Sequence, residues 1–237
     1  MYEATAEFYD LLQGPAYLER ATKLIETRAG QPQLGILDVG AGTGLATAEF
    51  ARRFRIDVHA VEPAVSMRSI MLSRLAGHAD LLSHVRVHEL PVQHLGLTGA
   101  VDLAWCMNMV GGLDRPERQA ALAAIREALV PGGILLVQRP PSEPGERADL
   151  GSWDLGGDRY AGEMTCRRTG DARLEWRFTY RVTRGDTCIR EVSEVFPGFL
   201  VTEAQFVREL EQAGLTPTEI DQDDVITATA TRPRQTV

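Results

Sequence analysis

Apolar positions recur at helical spacing over residues 3–12 (Ala4, Phe8, Leu11, Leu12) and again over 16–28 (Leu18, Ala21, Leu24, Ile25). This predicts two lead-in helices broken at Gly14-Pro15. The pattern then shortens to a strand over 34–40, a helix from Leu45 to about Arg53, and a second strand over 57–62. Met67, Ile70, Met71 and Leu75 fall on one helical stripe. Val85-Arg86-Val87 and Val101 to Cys106 read as third and fourth strands. Asp114, Pro116 and Glu117 carry the signature of a capping box, so a helix starts there. It runs to about Val130 and stops at Pro131-Gly132-Gly133. Ile134 to Val137 is a continuous apolar run, as a strand buried on both faces requires. Strand and helix alternate five times, which implies a parallel sheet covered by helices on both sides.

After Arg139 the pattern changes. Residues 140–156 are rich in Pro, Gly and Asp and read as a loop or lid. From Arg159 to Phe199 the period falls to two, with Leu174, Trp176, Phe178 and Tyr180 alternating with polar neighbours. Arg184-Gly185-Asp186 turns that run into a hairpin, for three antiparallel strands in all. Thr202 with Gln205 opens a last helix, which Gly214 closes. Strands over 215–221 and 223–231 end the pattern. The fold class is therefore α/β, with an antiparallel β-platform inserted between the fifth strand and the last helix.

Net charge is −8 over 237 residues. Nucleic-acid binding proteins carry a basic stripe, and Arg52-Arg53 and Arg167-Arg168 are isolated pairs. No nucleic acid is therefore expected as a partner. Cys106, Cys166 and Cys188 lack C-x-x-C spacing, which argues against a disulfide framework or a zinc site and suits a reducing cytosol. Neither a basic-then-apolar leader nor a run of about eighteen apolar residues occurs, so a cytoplasmic protein with no membrane span is expected. His84 and His88 are four apart on a predicted strand, roughly 13 Å from each other. They read as solvated histidines, and no metal is expected.

The chemistry concentrates at Leu37-Asp38-Val39-Gly40-Ala41-Gly42-Thr43-Gly44 and at Val58-His59-Ala60-Val61-Glu62-Pro63. Glycines where a strand turns into a helix tolerate positive φ and let a ligand approach the backbone. A carboxylate about twenty residues further on, at the end of the next strand, suits the hydroxyls of a ribose. A dinucleotide fingerprint spaces its glycines G-x-G-x-x-G, whereas here the spacing is G-x-G-x-G. Asp38, just before the turn, is unfavourable beside a phosphate and favourable beside a sulfonium or ammonium.

On these residues the chain resembles the class I S-adenosylmethionine-dependent methyltransferases. The resemblance implies a Rossmann-like core with a mostly parallel seven-stranded sheet, and S-adenosylmethionine as cofactor. It divides the chain into a cofactor-binding core with lead-in helices (1–139), an inserted lid and platform on the acceptor side (140–199), and a C-terminal helix with strands completing the core (200–237). Asp38, Gly40, Ala41 and Gly42 are the expected cofactor cradle, Glu62 with Pro63 the ribose ligand. Met67 either packs on the adenine or belongs to the core. Val92 and Gln93 stand in the loop that serves the adenine edge in this family, where many members carry an Asp that this chain lacks. Met107 and Asn108 end the fourth strand, facing the methyl group and the acceptor. Tyr9-Asp10 resembles a Tyr-Asp pair placed over the methionine end. Asn108 and Tyr9 are thus the candidate catalytic residues. The layout is closest to bacterial amino-sugar N-methyltransferases of antibiotic pathways, and the acceptor is expected to be a small molecule. Trp153, Tyr160, Trp176, Phe178, Tyr180 and Phe199 either line an acceptor chamber or form the insert's own core or a dimer face. The alternative is an S-adenosylmethionine-binding cyclase, sensor or partner subunit that transfers no methyl group.

Overall fold

A computed structural model describes residues 2–145, 147–220 and 224–231. Residues 221 and 223 of the two expected C-terminal strands lie outside the described residues, as does 146 of the expected lid. The lead-in helices form as α1 (Glu3–Leu12) and α2 (Gly14–Arg28). Pro15 sits in the first turn of α2, where a missing N–H leaves no bond unmade. Then follow β1 (Ile36–Val39), α3 (Leu45–Phe54), β2 (Val58–Val61), α4 (Val65–Ala76), the single turn α5 (Ala79–Leu82) and β3 (Val85–His88). A 3-10 turn (Val92–His94) leads to β4 (Val101–Cys106), and a second (Val110–Gly112) to α6 (Arg115–Ala128) and β5 (Leu129–Gln138).

Past the insert come α7 (Glu203–Gln212), β10 (Leu215–Ile220) and β11 (Val225–Ala230), the insert itself supplying β6 to β9. The main sheet has seven strands in the order β10-β11-β5-β4-β1-β2-β3. β1 runs parallel to β2 and β4, and β11 runs antiparallel to both of its neighbours, β10 and β5. Alternate residues face opposite layers. Ile36, Val58, Leu103 and Trp105 pack under α2, α3 and α4, while Leu37, Val61, Ala104 and Cys106 pack under α6 and α7. Strand order reverses between β1 and β4, so their carboxyl ends flank the crevice where open sheets bind ligands. Both capping boxes form as the residue types require. Asp114 accepts from the Glu117 amide at 2.9 Å, and Thr202 from the Gln205 amide at 3.3 Å.

Three expectations are corrected. Helix α6 ends at Ala128, and Pro131-Gly132-Gly133 lies inside β5 rather than in a separating turn. These residues form a bulge: Val101 pairs with Leu129 while Leu103 pairs with Ile134, and Gly132 has φ 86°. Second, the expected loop over 140–156 holds a strand, β6 (Ala148–Leu155). Third, the platform therefore has four antiparallel strands, with β7 (Asp158–Arg168), β8 (Arg173–Arg184) and β9 (Thr187–Phe199) in sequential order.

Helix α1 is the joint between platform and core. Phe8 stacks on Tyr180 at 4.6 Å and tilts against Tyr160 at 5.8 Å, with Leu12 and Phe178 packed around them. Glu194 on β9 accepts the backbone amides of Glu3 at 3.1 Å and Thr5 at 2.9 Å. A carboxylate there satisfies orphan donors at the positive end of the helix dipole. Of the insert's aromatic side chains, Tyr160, Phe178 and Tyr180 thus serve this small core, whereas Trp153 is exposed.

Candidate functional site

The turn after β1 is held by its own backbone. Gly40 and Ala41 both donate to the Val61 carbonyl, at 2.9 and 3.0 Å, and Gly44 donates to Ala41 at 2.9 Å. Gly42 donates instead to a side chain, Oε2 of Glu62, at 2.8 Å. The other oxygen of Glu62 accepts from Ala64 at 2.8 Å. One carboxylate thereby bridges the two loops that follow β1 and β2. Glu62 is only 7% exposed, and burial raises its pKa against the pull of the Ala64 and Gly42 amides and of Arg68. Arg68 donates to the Glu62 and Pro63 carbonyls at 2.8 and 2.9 Å, fixing the corner from the α4 side.

Asp38 lies deeper. Its carboxylate accepts from the Thr47 hydroxyl on α3 at 2.6 Å. Burial, helped by the charge of Glu62 and opposed by the Thr47 bond, pushes its pKa up to about 7. Tyr17 on α2 stands close enough to feel the same charge and accepts from the Trp105 indole at 3.1 Å. Asp10 faces the turn rather than open space. It accepts from the Thr43 hydroxyl at 2.6 Å and pairs with Arg74 at 2.5 Å, while Arg74 also donates to the Thr43 carbonyl. This clamp ties α1 to the glycine turn and to α4.

Tyr9 and Asn108, far apart in sequence, are brought together. The Asn108 amide hydrogen-bonds the Tyr9 hydroxyl, and burial followed by the Asp10 charge pushes that phenol well above the usual tyrosine range. Asn108 is exposed at the end of β4 with φ 55°, a left-handed conformation that asparagine tolerates better than most residues. Its backbone N–H, past the last β4–β5 rung, is taken by the Gln138 side chain at 3.3 Å. Tyr2 adds an unforeseen neighbour: its ring stacks on Phe196 at 4.6 Å, and its phenol feels the charge of Glu62.

The remaining candidates divide. Met67 and Met107 are buried, Met107 in the layer under α2 and α3. Val92 is buried with Val61 and Val39, Gln93 is half-buried beside it, and Pro63 is exposed. None of the described residues form a cluster of three metal-ligating side chains. The reading of His88 as solvated is corrected, because it is half-buried and its Nε2 lies 3.0 Å from Nδ1 of His59. Arg74, Gln138 and His59 as the partner of His88 carry no local sequence signal, and Asp10 and Thr43, both within sequence motifs, are joined by a contact that no spacing predicts; each acquires its partner from another element.

Two observations test the expected cofactor against the turn. The amides of Gly40, Ala41, Gly42 and Gly44 are consumed within the protein, unlike the free amides of a phosphate-binding loop. An ideal Cβ on Gly42 would meet nothing nearer than the Gly40 carbonyl at 4.0 Å, so a ligand can lie directly on that backbone. A fixed carboxylate beside an open glycine, backed by a second carboxylate, fits an adenosyl cation and not a pyrophosphate.

Residues 36–133 match the family model described as a methyltransferase domain. Trans-aconitate 2-methyltransferase of Deinococcus radiodurans is 34% identical over 110 residues, which are 46% of this chain and 39% of that protein. The chain thus spans well under half the length of this curated relative. Among solved structures, a sugar N-methyltransferase from a Streptoalloteichus species has a TM-score of 0.73 at 20% identity, covering 98% of this chain and 93% of the other. An S-adenosylmethionine-bound amino pentose methyltransferase from Micromonospora echinaspora, of calicheamicin biosynthesis, has a TM-score of 0.69 at 24% identity, covering 92% and 91%. At such identities the likeness shows the fold alone, a Rossmann-like core with its platform.

Proposed function

We propose that the protein is an S-adenosylmethionine-dependent enzyme that methylates a small molecule, at an amine nitrogen in preference to a hydroxyl, in a secondary-metabolic pathway. The observation that carries this reading is Glu62, a buried carboxylate held by the Gly42 and Ala64 amides at 2.8 Å each beside an open glycine. Its remaining lone pairs suit two ribose hydroxyls, and Asp38 supplies negative charge behind the turn. When bound, the cofactor supplies the electrophilic methyl group. The chain's part is alignment, because holding the acceptor in line captures much of the available rate gain through proximity.

Tyr9 and Asn108 stand where that acceptor enters, and both are uncharged. Burial keeps the Tyr9 phenol protonated at neutral pH, so it orients an acceptor by hydrogen bonding and supplies no phenolate base. An amine brings its own lone pair, which favours nitrogen over oxygen. The division into a cofactor core (1–139), an acceptor-side insert (140–199) and a C-terminal completion (200–237) belongs to the same proposal. So does a cytoplasmic location; no helix among the described residues is long and apolar enough to cross a membrane.

Calorimetry with S-adenosylmethionine, then an assay of S-adenosylhomocysteine formation over a panel of amines and hydroxylated metabolites, tests the reading. Binding with turnover of an amine is the expected result, and Asn108→Ala then lowers turnover while cofactor affinity stays within about threefold. Binding without turnover of any panel member favours the non-methylating alternative.

Asp38 predicts a proton linkage. Its pKa is raised from the ordinary 3.8 to about 7, so the folded protein holds a proton there that the unfolded chain releases. Its stabilising contribution is therefore present at acid pH and is lost as pH rises through about 7. A cation bound beside it favours the ionised form. Near pH 7, S-adenosylmethionine binding should release roughly half a proton, read from calorimetry in two buffers of different ionisation enthalpy. Asp38→Asn should abolish that buffer dependence.

A further inference from the structure

Among the described residues, strand β3 is an edge of the main sheet and pairs only with β2. Its last residue, His88, lies opposite Val61, and its carbonyl accepts the Glu62 amide at 3.0 Å. That rung is the backbone support of the carboxylate that bridges the glycine turn. The side chain of His88 does not point into solvent. It lies diagonally across the sheet against His59, ring centroids 5.2 Å apart and planes inclined by 17°, with Nδ1 of His59 at 3.0 Å from Nε2 of His88. His59 is 8% exposed.

An N···N contact of this length needs one N–H and one lone pair, so the pair holds at most one added proton without losing the bond. Two imidazolium rings would place two donors and two positive charges face to face. We infer that His59 and His88 are positioning residues that support Glu62 through the β2–β3 edge and make its hold on the cofactor sensitive to acid. This rests on the reading of Glu62 as the ribose ligand.

The charged surroundings agree. Arg86 on β3 and Asp57 before β2 are within electrostatic reach and pair with each other at 2.7 Å. Burial first, and for His59 its partner and Arg86 next, lowers both imidazole pKa values. Arg68 of α4 is engaged with Glu89 at 3.6 Å and with the Glu62 carbonyl. The 3-10 turn over the same sheet face brings apolar Val92 and the exposed His94. The sign is fixed: neutral rings are favoured by folding, so the support is complete above the ordinary imidazole range and is lost as pH falls below it.

The test compares wild type with His59→Phe, which keeps a ring against His88 and removes the second titrating group. S-adenosylhomocysteine affinity is measured by calorimetry at about pH 8 and about pH 5.5, and histidine ring nitrogens are titrated by NMR. Wild type should lose at least about tenfold more affinity on acidification than His59→Phe, which lacks the His59–His88 bond at both pH values and so starts from the weaker affinity at the higher pH. Titration of Asp38 and Glu62 is common to both proteins and cancels in that comparison. Equal losses, or two rings that titrate independently at the ordinary value, overturn the inference. If His59→Phe does not fold, His88→Phe removes the same contact from the other strand and serves the same comparison. Wild type that binds no S-adenosylhomocysteine at about pH 8 overturns the ribose assignment instead, and the ring titration separates that failure from this one.

Discussion

Glu62→Gln should bind S-adenosylmethionine hardly better than Glu62→Ala, both weakened roughly ten- to a hundredfold or more. Each carboxylate oxygen accepts a backbone N–H at 2.8 Å, from Gly42 on one side and Ala64 on the other. A carboxamide offers one acceptor and one NH2 group, so one of those amides would face a donor. Alanine leaves both without a partner. A charge-assisted hydrogen bond is worth about 1.5–3 kcal/mol, and an orphaned buried amide costs about 1–3 kcal/mol, so the loss appears in stability as well as affinity. For a chain of this size each kcal/mol lowers the melting temperature by roughly 2–4 °C. Calorimetry and thermal melts on the two variants check both arms. A glutamine variant within threefold of wild-type affinity would show that the negative charge and the second acceptor are dispensable.

What the chain displayed in advance was whatever depends on neighbours in sequence. The helical stripe of Met67, Met71 and Leu75 could be read because its buried face repeats, and the two-sided burial of Leu135 to Val137 because the run is unbroken by polar residues. Asp114 with Glu117 and Thr202 with Gln205 were readable because a capping box is complete within four residues. Strand β6 was not readable. Its sequence, Ala148 to Leu155, starts to alternate apolar and polar residues but breaks step at Gly151-Ser152, and pairing with β7 across a bulge between Asp149 and Ser152 makes it extended. Pro131-Gly132-Gly133 looked like a stop for the same reason: only the pairing of β5 with β4 absorbs it as a bulge. Within the site, the glycine turn and Glu62 were visible as a motif. The contacts that hold them were not. Asp10 to Thr43 and Arg74, Tyr9 to Asn108, and His59 to His88 are each made by side chains from different elements. Sheet register and helix docking bring them together, and no spacing along the chain encodes that.

Gly42 and Gly44 are two residues apart in one motif, yet alanine at each should fail for different reasons. Both have positive φ, 58° and 79°, so a side chain at either costs about 1–2 kcal/mol in backbone strain. At Gly44 a Cβ would lie 2.5 Å from Cγ and 3.1 Å from Cβ of Met71 on α4. Met71 is fully buried, so the contact cannot be relieved by turning the side chain into solvent. Overpacking adds about 1–3 kcal/mol, and Gly44→Ala should melt roughly 4–20 °C below wild type with or without ligand. At Gly42 the nearest atom to the added carbon is 4.0 Å away, so the fold loses only the strain term. The methyl group instead occupies the space against which the cofactor must lie. Gly42→Ala should therefore melt within a few degrees of wild type, while S-adenosylhomocysteine affinity falls roughly ten- to a hundredfold. Thermal melts and calorimetry on the two variants give opposite patterns if this division is right: stability lost at Gly44, binding lost at Gly42. A Gly42→Ala protein that binds normally would place the cofactor away from this turn, and the bridging carboxylate of Glu62 would then be holding two loops together for structure alone.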